Sequence, residues 1–135
     1  MRDLMTIVGV WEVHIGDAPF PHHVMTFHAD GTMLQSNPDL GNRTGSDSSG
    51  MGNWHAEGDT VSGAFLEFTV AREDPASPEL PHTVQKGIVR FTMTVRGDEF
   101  TGTASARFYD LDGTLREGPM DSAMLGRRFR IGLPE

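Results

Sequence analysis

Hydrophobic and polar residues alternate one by one along much of this chain, instead of recurring every three or four residues. The alternation is clearest over residues 23–28, 89–96 and 100–109. There the positions of one parity, odd or even, are mostly apolar, and those of the other parity are mostly polar. A period of two with one apolar side is typical of antiparallel strands that bury one face. Only Arg2–Thr6 offers a short turn of helix, so the pattern predicts an all-β protein.

Turn-forming residues separate the alternating segments. Asp and Gly tolerate the positive φ of tight hairpins, and they pair at Asp30-Gly31, Gly58-Asp59, Gly97-Asp98 and Asp112-Gly113. Longer stretches rich in Pro, Ser, Gly and Asp, at 16–21, 37–50 and 73–81, are typical of loops. These divisions predict eight strands: Val8–Ile15, His22–His28, Thr32–Ser36, Met51–Ala56, Thr60–Arg72, Thr83–Arg96, Glu99–Asp110 and Leu115–Ile131.

The order of short and long connections predicts the architecture. In a meander, alternate connections lie at the same end of the sheet, so the turns at 29–31, 57–59 and 97–98 gather at one end. The three long loops then gather at the other. Eight antiparallel strands can close into a barrel wide enough for side chains and one small ligand. We therefore predict an eight-stranded antiparallel up-and-down barrel with one open end. An open sandwich, with edge strands that need protection, is the alternative.

Composition and charge narrow the class of protein. The 135 residues suit one domain over 1–135, and 19 acidic against 11 basic residues give a net charge of −8. That charge argues against nucleic acid or an anionic membrane as a partner, and no apolar run reaches the ~20 residues of a membrane span. The chain has no Cys, and Arg2 and Asp3 precede only a short apolar stretch. We therefore expect no disulfide, no signal peptide and a cytoplasmic location.

Strand parity assigns a set of apolar side chains to the barrel interior. Flexible Met side chains among them suit an irregular binding cavity, although the same residues would also make an ordinary packed core. We expect solid packing near the closed end and a cavity near the open end. The predicted ligand-binding residues are Met25, Phe27, Met51, Trp54, Leu66, Phe68, Val89, Phe91, Met93, Phe108, Met120 and Met124.

Few polar residues have a position suited to chemistry at the open end. An imidazole at His23 could exchange a proton or orient a carbonyl near neutral pH, or it is simply a solvated histidine at the rim. Gln85 has inward parity, Tyr109 has outward parity but lies at a strand end, and Asp121 follows Gly118-Pro119, where the last strand could be broken. A carboxylate and a phenol beside an apolar cavity could polarise a substrate carbonyl. The predicted catalytic residues are therefore His23, Gln85, Tyr109 and Asp121.

The familiar catalytic and metal-binding motifs are missing from the sequence. Its six histidines include no His-x-His pair, and the adjacent His22 and His23 point to opposite faces of one strand. The chain has no Gly-x-Ser-x-Gly nucleophile elbow and no glycine-rich phosphate loop. The segment from Asp110 to Gly113 fits a hairpin better than a calcium loop. We predict neither a metal nor a cofactor.

Short motifs in the chain resemble those of the calycin superfamily, and of lipocalins in particular. The first strand carries Gly9-Val10-Trp11 and the last carries Arg127 and Arg128, similar to the Gly-x-Trp motif and the late Arg of that family. Residues 19–21, 25–32 and 97–102 are similar to small bacterial lipocalin-like proteins. The resemblance implies a barrel in which Trp11 fills the closed end and one Arg packs over it. The 135 residues are fewer than in secreted lipocalins and contain no Cys for a disulfide, and we expect no signal peptide, which argues against an extracellular carrier.

Three functions are compatible with such a barrel. The resemblance implies that relatives in bacterial natural-product pathways include cyclases and isomerases, reactions that need mainly shape, desolvation and a few hydrogen bonds. The single Lys against ten Arg is typical of high-GC bacteria. We expect the chain to bind a small hydrophobic molecule and act on it as a cofactor-free cyclase or isomerase. A non-catalytic carrier and a barrel with a filled interior are the alternatives, and a homodimer is left open.

Overall fold

The computed structural model describes residues 7–16, 21–37, 45–71 and 82–132. They form an all-β structure whose strands belong to one antiparallel sheet. This part of the chain contains no helix that could cross a membrane. The strands are β1 (Gly9–Ile15), β2 (His22–Phe27), β3 (Thr32–Gln35), β4 (Gly45–Asp47), β5 (Gly50–Glu57), β6 (Thr60–Ala71), β7 (His82–Arg96), β8 (Glu99–Asp110) and β9 (Leu115–Phe129).

The sheet closes on itself, which confirms the predicted barrel. The strand order follows the chain, with β1 paired to both β2 and β9, and β6 paired to both β5 and β7. Strands β4 and β5 lie on the same edge of β6, so they are two parts of one interrupted strand and the wall has eight strands. Because the ring of strand pairs is complete, the open sandwich is wrong.

The predicted strands lie within two residues of the observed ones, because alternation and turn residues marked their limits. Two of the hairpins turn at glycines with positive φ, Gly58 at 59° and Gly97 at 62°, as the tight-turn geometry requires. Strand β4 was assigned to the loop at 37–50, since Gly-Ser-Asp shows no apolar alternation. The predicted helical turn at Arg2–Thr6 lies outside the described residues, as does much of the three long loops.

One end of the barrel is packed solid around Trp11, which is fully buried. Its indole N–H donates to the Ile7 carbonyl at 2.8 Å, and its ring lies 5.0 Å from that of Phe100. The Arg128 guanidinium sits 4.4 Å above the indole and donates to the Val8 carbonyl at 2.9 Å. Of the two candidate arginines, Arg128 therefore covers the Trp, by a cation–π contact. Arg127 is exposed on the outer face.

Strand β6 presents the opposite face to the one predicted. Leu66 and Phe68 were expected inside, but they lie on the outer face with 41% and 37% exposure. Phe65 and Glu67 point inward and are buried. The expectation was wrong because β6 has apolar residues in both parities, so a period of two does not choose between its faces. Met51, opposite Leu66 on β5, is likewise outside at 65% exposure.

Candidate functional site

A cavity of about 390 Å³ opens at the end of the barrel where β1 and β3 finish and where β2, β7 and β9 begin. That volume is within the range of small-molecule sites. Most of the surface of its wall is apolar, although nine of the sixteen lining residues are polar, and several of these gather where β2, β3 and β6 meet. The lining residues are Ile15, His23, Gln35, Asn37, Asp47, Phe65, Glu67, Gln85, Val89, Ala104, Ala106, Phe108, Glu117, Met120, Asp121 and Ser122.

The polar side of the cavity is one chain of hydrogen bonds. The Gln35 Nε2 lies 2.6 Å from His23 Nδ1 and donates to Asn37 Oδ1 at 3.1 Å. The Asn37 Nδ2 donates to Glu67 Oε2 at 2.5 Å and to the Ser48 carbonyl at 2.7 Å. The strand register brings these side chains together, because His23, Gln35 and Glu67 all take inward positions on their strands. These hydrogen bonds therefore connect the imidazole of His23 to the carboxyl group of Glu67 across strands β2, β3 and β6.

Glu67 is the most perturbed titrating group at this site. Burial away from water raises the pKa of its carboxyl from 4.5 to about 7, although the hydrogen bond from Asn37 acts in the opposite direction. The negative charge of Asp47 adds to the increase. A carboxyl group with a pKa near 7 can both accept and release a proton under neutral conditions, as general acid–base chemistry requires.

Sequence reasoning missed Glu67. The parity chosen for β6 put it on the outer face, where a Glu is ordinary. One signal was present: Glu67 is the only charged residue in the twelve of β6. When a single carboxylate occurs in a long apolar strand, either face of that strand should be considered as the inward one. A buried carboxylate is then notable, since ionised groups are rarely buried without a partner.

Three of the four predicted catalytic residues lie at this cavity. His23 lines it and is buried, Gln85 lines it and is half-buried, and Asp121 lies at its exposed margin. Tyr109 is not part of the lining; it pairs across the strands with Lys86, whose Nζ lies 6.0 Å from the phenol ring centre. The structure thus brings the first three together with Glu67 and leaves Tyr109 apart. The catalytic roles themselves stay predictions.

The predicted ligand-binding residues fall into three groups. Val89, Phe108 and Met120 line the cavity, whereas Met51, Leu66 and Phe68 lie on the outer face of the barrel. The remaining residues fill the interior without lining the cavity, and Trp54 among them is only partly buried, with its ring centre 6.4 Å from that of Phe27. Those core residues are Met25, Phe27, Trp54, Phe91, Met93 and Met124.

The cavity lining carries acidic groups but no Lys or Arg among the described residues. Four of the lining side chains are carboxyl groups: Asp47, Glu67, Glu117 and Asp121. Three or more His, Asp or Glu side chains placed to hold a metal ion are not found in the described ranges. The cavity therefore has an apolar wall with a negative polar margin.

Together these features define an eight-stranded up-and-down barrel that is solid at one end and has a cavity of about 390 Å³ at the other. The architecture is consistent with a lipocalin-like barrel. No protein-family model matches the chain, and neither do any curated proteins or solved structures. The function therefore has to be inferred from the site itself.

Proposed function

We propose that this barrel binds one small, predominantly apolar molecule in its cavity and acts on it without a cofactor, as an isomerase or cyclase. The observation that carries the proposal is the cavity of about 390 Å³ that combines an apolar wall with a buried, hydrogen-bonded Glu67. Membership of the calycin superfamily, a cytoplasmic location and a place in bacterial specialised metabolism belong to the same proposal. The Gly9–Trp11 motif and the packing of Arg128 over Trp11 support the lipocalin-like assignment.

Glu67 is the acid–base group of this proposal. With its pKa near 7, a fraction of the carboxyl groups is ionised and the rest protonated at neutral pH. Transfer of one proton by a positioned side chain contributes roughly 10²–10⁴-fold to a rate. Holding a flexible substrate folded against Phe65, Val89 and Phe108 would supply further acceleration by proximity. An isomerisation is complete when Glu67 returns the proton it has taken to another atom of the same molecule.

A non-catalytic carrier is the second candidate. It is favoured by the same cavity together with the lipocalin-like closed end, since a carrier needs an apolar wall but no acid–base group. The two candidates differ in what Glu67 does. In a carrier its burial would only lower stability, whereas in an enzyme the carboxylate would take a proton from the bound molecule.

Blocking the cavity tests the binding step. Ala106→Trp should fill the space next to Val89 and Phe108 and reduce the affinity for the neutral probe N-phenyl-1-naphthylamine at least tenfold. Thr103→Trp is the matched control, because it adds the same side chain on the exposed outer face of the same strand. Probe fluorescence measures binding, and circular dichroism checks that both variants fold. Equal probe affinity in the two folded variants would refute the proposed cavity site.

A proton-abstraction probe tests the catalytic step. In 5-nitrobenzisoxazole, removal of the ring C–H proton by a base breaks the N–O bond and yields a coloured cyanophenolate. We expect the wild-type rate to rise as pH increases through about 7, as Glu67 ionises, and Glu67→Gln to reduce it at least 100-fold. If Glu67→Gln binds N-phenyl-1-naphthylamine normally and opens the ring as fast as the wild type, the carrier is the better interpretation.

A further inference from the structure

The hydrogen bonds at the polar side of the cavity have a fixed direction. A main-chain carbonyl such as that of Ser48 only accepts, so the Asn37 group 2.7 Å from it is the amide NH₂. The Asn37 Oδ1 then faces Gln35, which must present its own NH₂ at 3.1 Å. The same Gln35 NH₂ lies 2.6 Å from His23 Nδ1 and donates to it. The Ser48 carbonyl thereby orients both amides and, through them, the imidazole.

This direction determines which ring nitrogen of His23 carries the proton. Because Nδ1 accepts from Gln35, the neutral ring is protonated at Nε2. The Ser36 carbonyl lies farther from Nδ1, at 3.1 Å, and Nδ1 cannot donate to it while accepting the shorter bond. The Nε2–H donor has no hydrogen-bond partner among the described residues, and neither has the Gln35 Oε1 acceptor.

Two unmatched polar atoms are thus buried in residues that line the cavity. His23 is 7% exposed and Gln35 is 2% exposed, and both side chains line the cavity. Buried polar atoms in folded proteins almost always have hydrogen-bond partners. One donor and one acceptor that both lack a partner therefore point to a ligand. The ligand has to accept a hydrogen bond at one side of its polar group and donate one at the other.

We propose that His23 Nε2–H and Gln35 Oε1 together recognise an uncharged polar group that both accepts and donates a hydrogen bond, such as a hydroxyl or a primary or secondary amide. The inference rests on the proposed function, since it names the polar end of the molecule that the cavity binds. The ligand is an apolar body that carries one such group, which enters the site next to the Asn37–Glu67 pair.

The charges around the cavity exclude the alternative of an acidic ligand. Glu67, Asp47, Glu117 and Asp121 face or border the space, and no Lys or Arg among the described lining residues offsets them. A carboxylate would meet these negative charges in a site of low polarity, and it has no proton to donate to Gln35 Oε1. The site is therefore selective against fatty acids and other carboxylates.

A set of four probes with one aromatic body tests the proposal. We expect 2-naphthol and 2-naphthamide to bind the full-length protein at pH 8 at least about tenfold tighter than naphthalene, and 2-naphthoate to bind more weakly than naphthalene. Gln35→Met should reduce the affinities for the naphthol and the amide to the affinity that the same variant has for naphthalene. Asn53→Met, which replaces an exposed amide on the outer face of β5, should change none of the four.

The outcomes separate this inference from the proposed function. If the four probes bind with equal affinity, or 2-naphthoate binds best, the cavity binds ligands but the recognition proposed here is wrong. If none of them binds, both proposals fail. A second measurement does not depend on variants: long-range ¹H–¹⁵N correlation spectra distinguish the two histidine tautomers. We expect the Nε2–H tautomer for His23 in the unliganded protein, and the Nδ1–H tautomer would overturn the proposal.

Discussion

Replacing the buried carboxyl group of Glu67 by an amide, as in Glu67→Gln, should make the protein more stable at high pH. Glu67 is buried with its pKa raised from 4.5 to about 7, so the folded protein holds this proton more tightly than the unfolded chain does. Between pH 4.5 and 7 the unfolded state has lost the proton while the folded state still keeps it. The contribution of Glu67 to the free energy of unfolding is therefore greatest below pH 4.5, falls as the pH rises to about 7 and then levels off.

The size of the effect follows from the two pKa values. Each tenfold difference in proton affinity is worth about 1.4 kcal/mol, so the step from 4.5 to about 7 amounts to about 3 kcal/mol. Glu67→Gln keeps an acceptor for Asn37 but cannot ionise. We expect the variant and the wild type to have similar free energies of unfolding at pH 4, with the variant about 3 kcal/mol more stable at pH 8.

Urea denaturation at half-unit pH intervals from 4 to 8 measures the difference. Other titrating groups affect both proteins alike, so the gap between the two curves isolates Glu67. Glu57→Gln is the matched control, because Glu57 is exposed and contacts only the exposed His55 among the contacts described. The free energies of unfolding of Glu57→Gln and the wild type should differ by less than about 1 kcal/mol at every pH. A gap for Glu67→Gln that does not grow between pH 4.5 and 7 would refute the reasoning.

Three further predictions concern packing. Arg128→Leu should lower the free energy of unfolding by about 3 kcal/mol, since it removes the cation–π contact and the hydrogen bond to Val8; the exposed Arg127→Leu should cost less than about 1 kcal/mol. Met124→Ala should cost about 2–5 kcal/mol in urea denaturation because the side chain is fully buried, whereas Met120→Ala should cost less than about 1 kcal/mol and weaken binding of N-phenyl-1-naphthylamine. Gly102→Ala should cost about 3 kcal/mol or more, because its Cβ would lie 2.1 Å from the Thr92 carbonyl oxygen; Gly16→Ala, with open space around it, should unfold like the wild type. Equal losses within any of these pairs would contradict the packing described.

The fold was largely readable from the sequence, because its determinants are local. Alternation gives strands, Asp-Gly and Gly-Asp pairs give turns, and the order of turns gives a meander. The closed end could be anticipated from the Gly9–Trp11 motif and a late Arg, although only the strand register separates Arg128 from Arg127.

The candidate site was harder to predict, since its contacts join distant residues. Asn37 and Glu67 are 30 positions apart, and Gln35 reaches His23 across 12. Which side chains meet depends on the register of β2, β3 and β6, and one wrong parity removes Glu67 from the interior altogether. His23 was identified because its strand has a clear apolar face. Gln35 and Asn37 were not, because a Gln at a strand end and an Asn in a loop are unremarkable by themselves.

The break between β4 and β5 has a consequence for the chemistry of the barrel. From Asp47 to Met51 the chain advances four residues, while its partner strand advances only three, from Thr69 back to Leu66. The surplus residue lets Ser48 turn its carbonyl away from the ladder and toward Asn37. If the two strands ran on without interruption, that oxygen would be available to β6 alone. Deleting one serine here would take that carbonyl away from Asn37, so that Glu67 alone would orient the Asn37 amide and, through Gln35, the proton on His23.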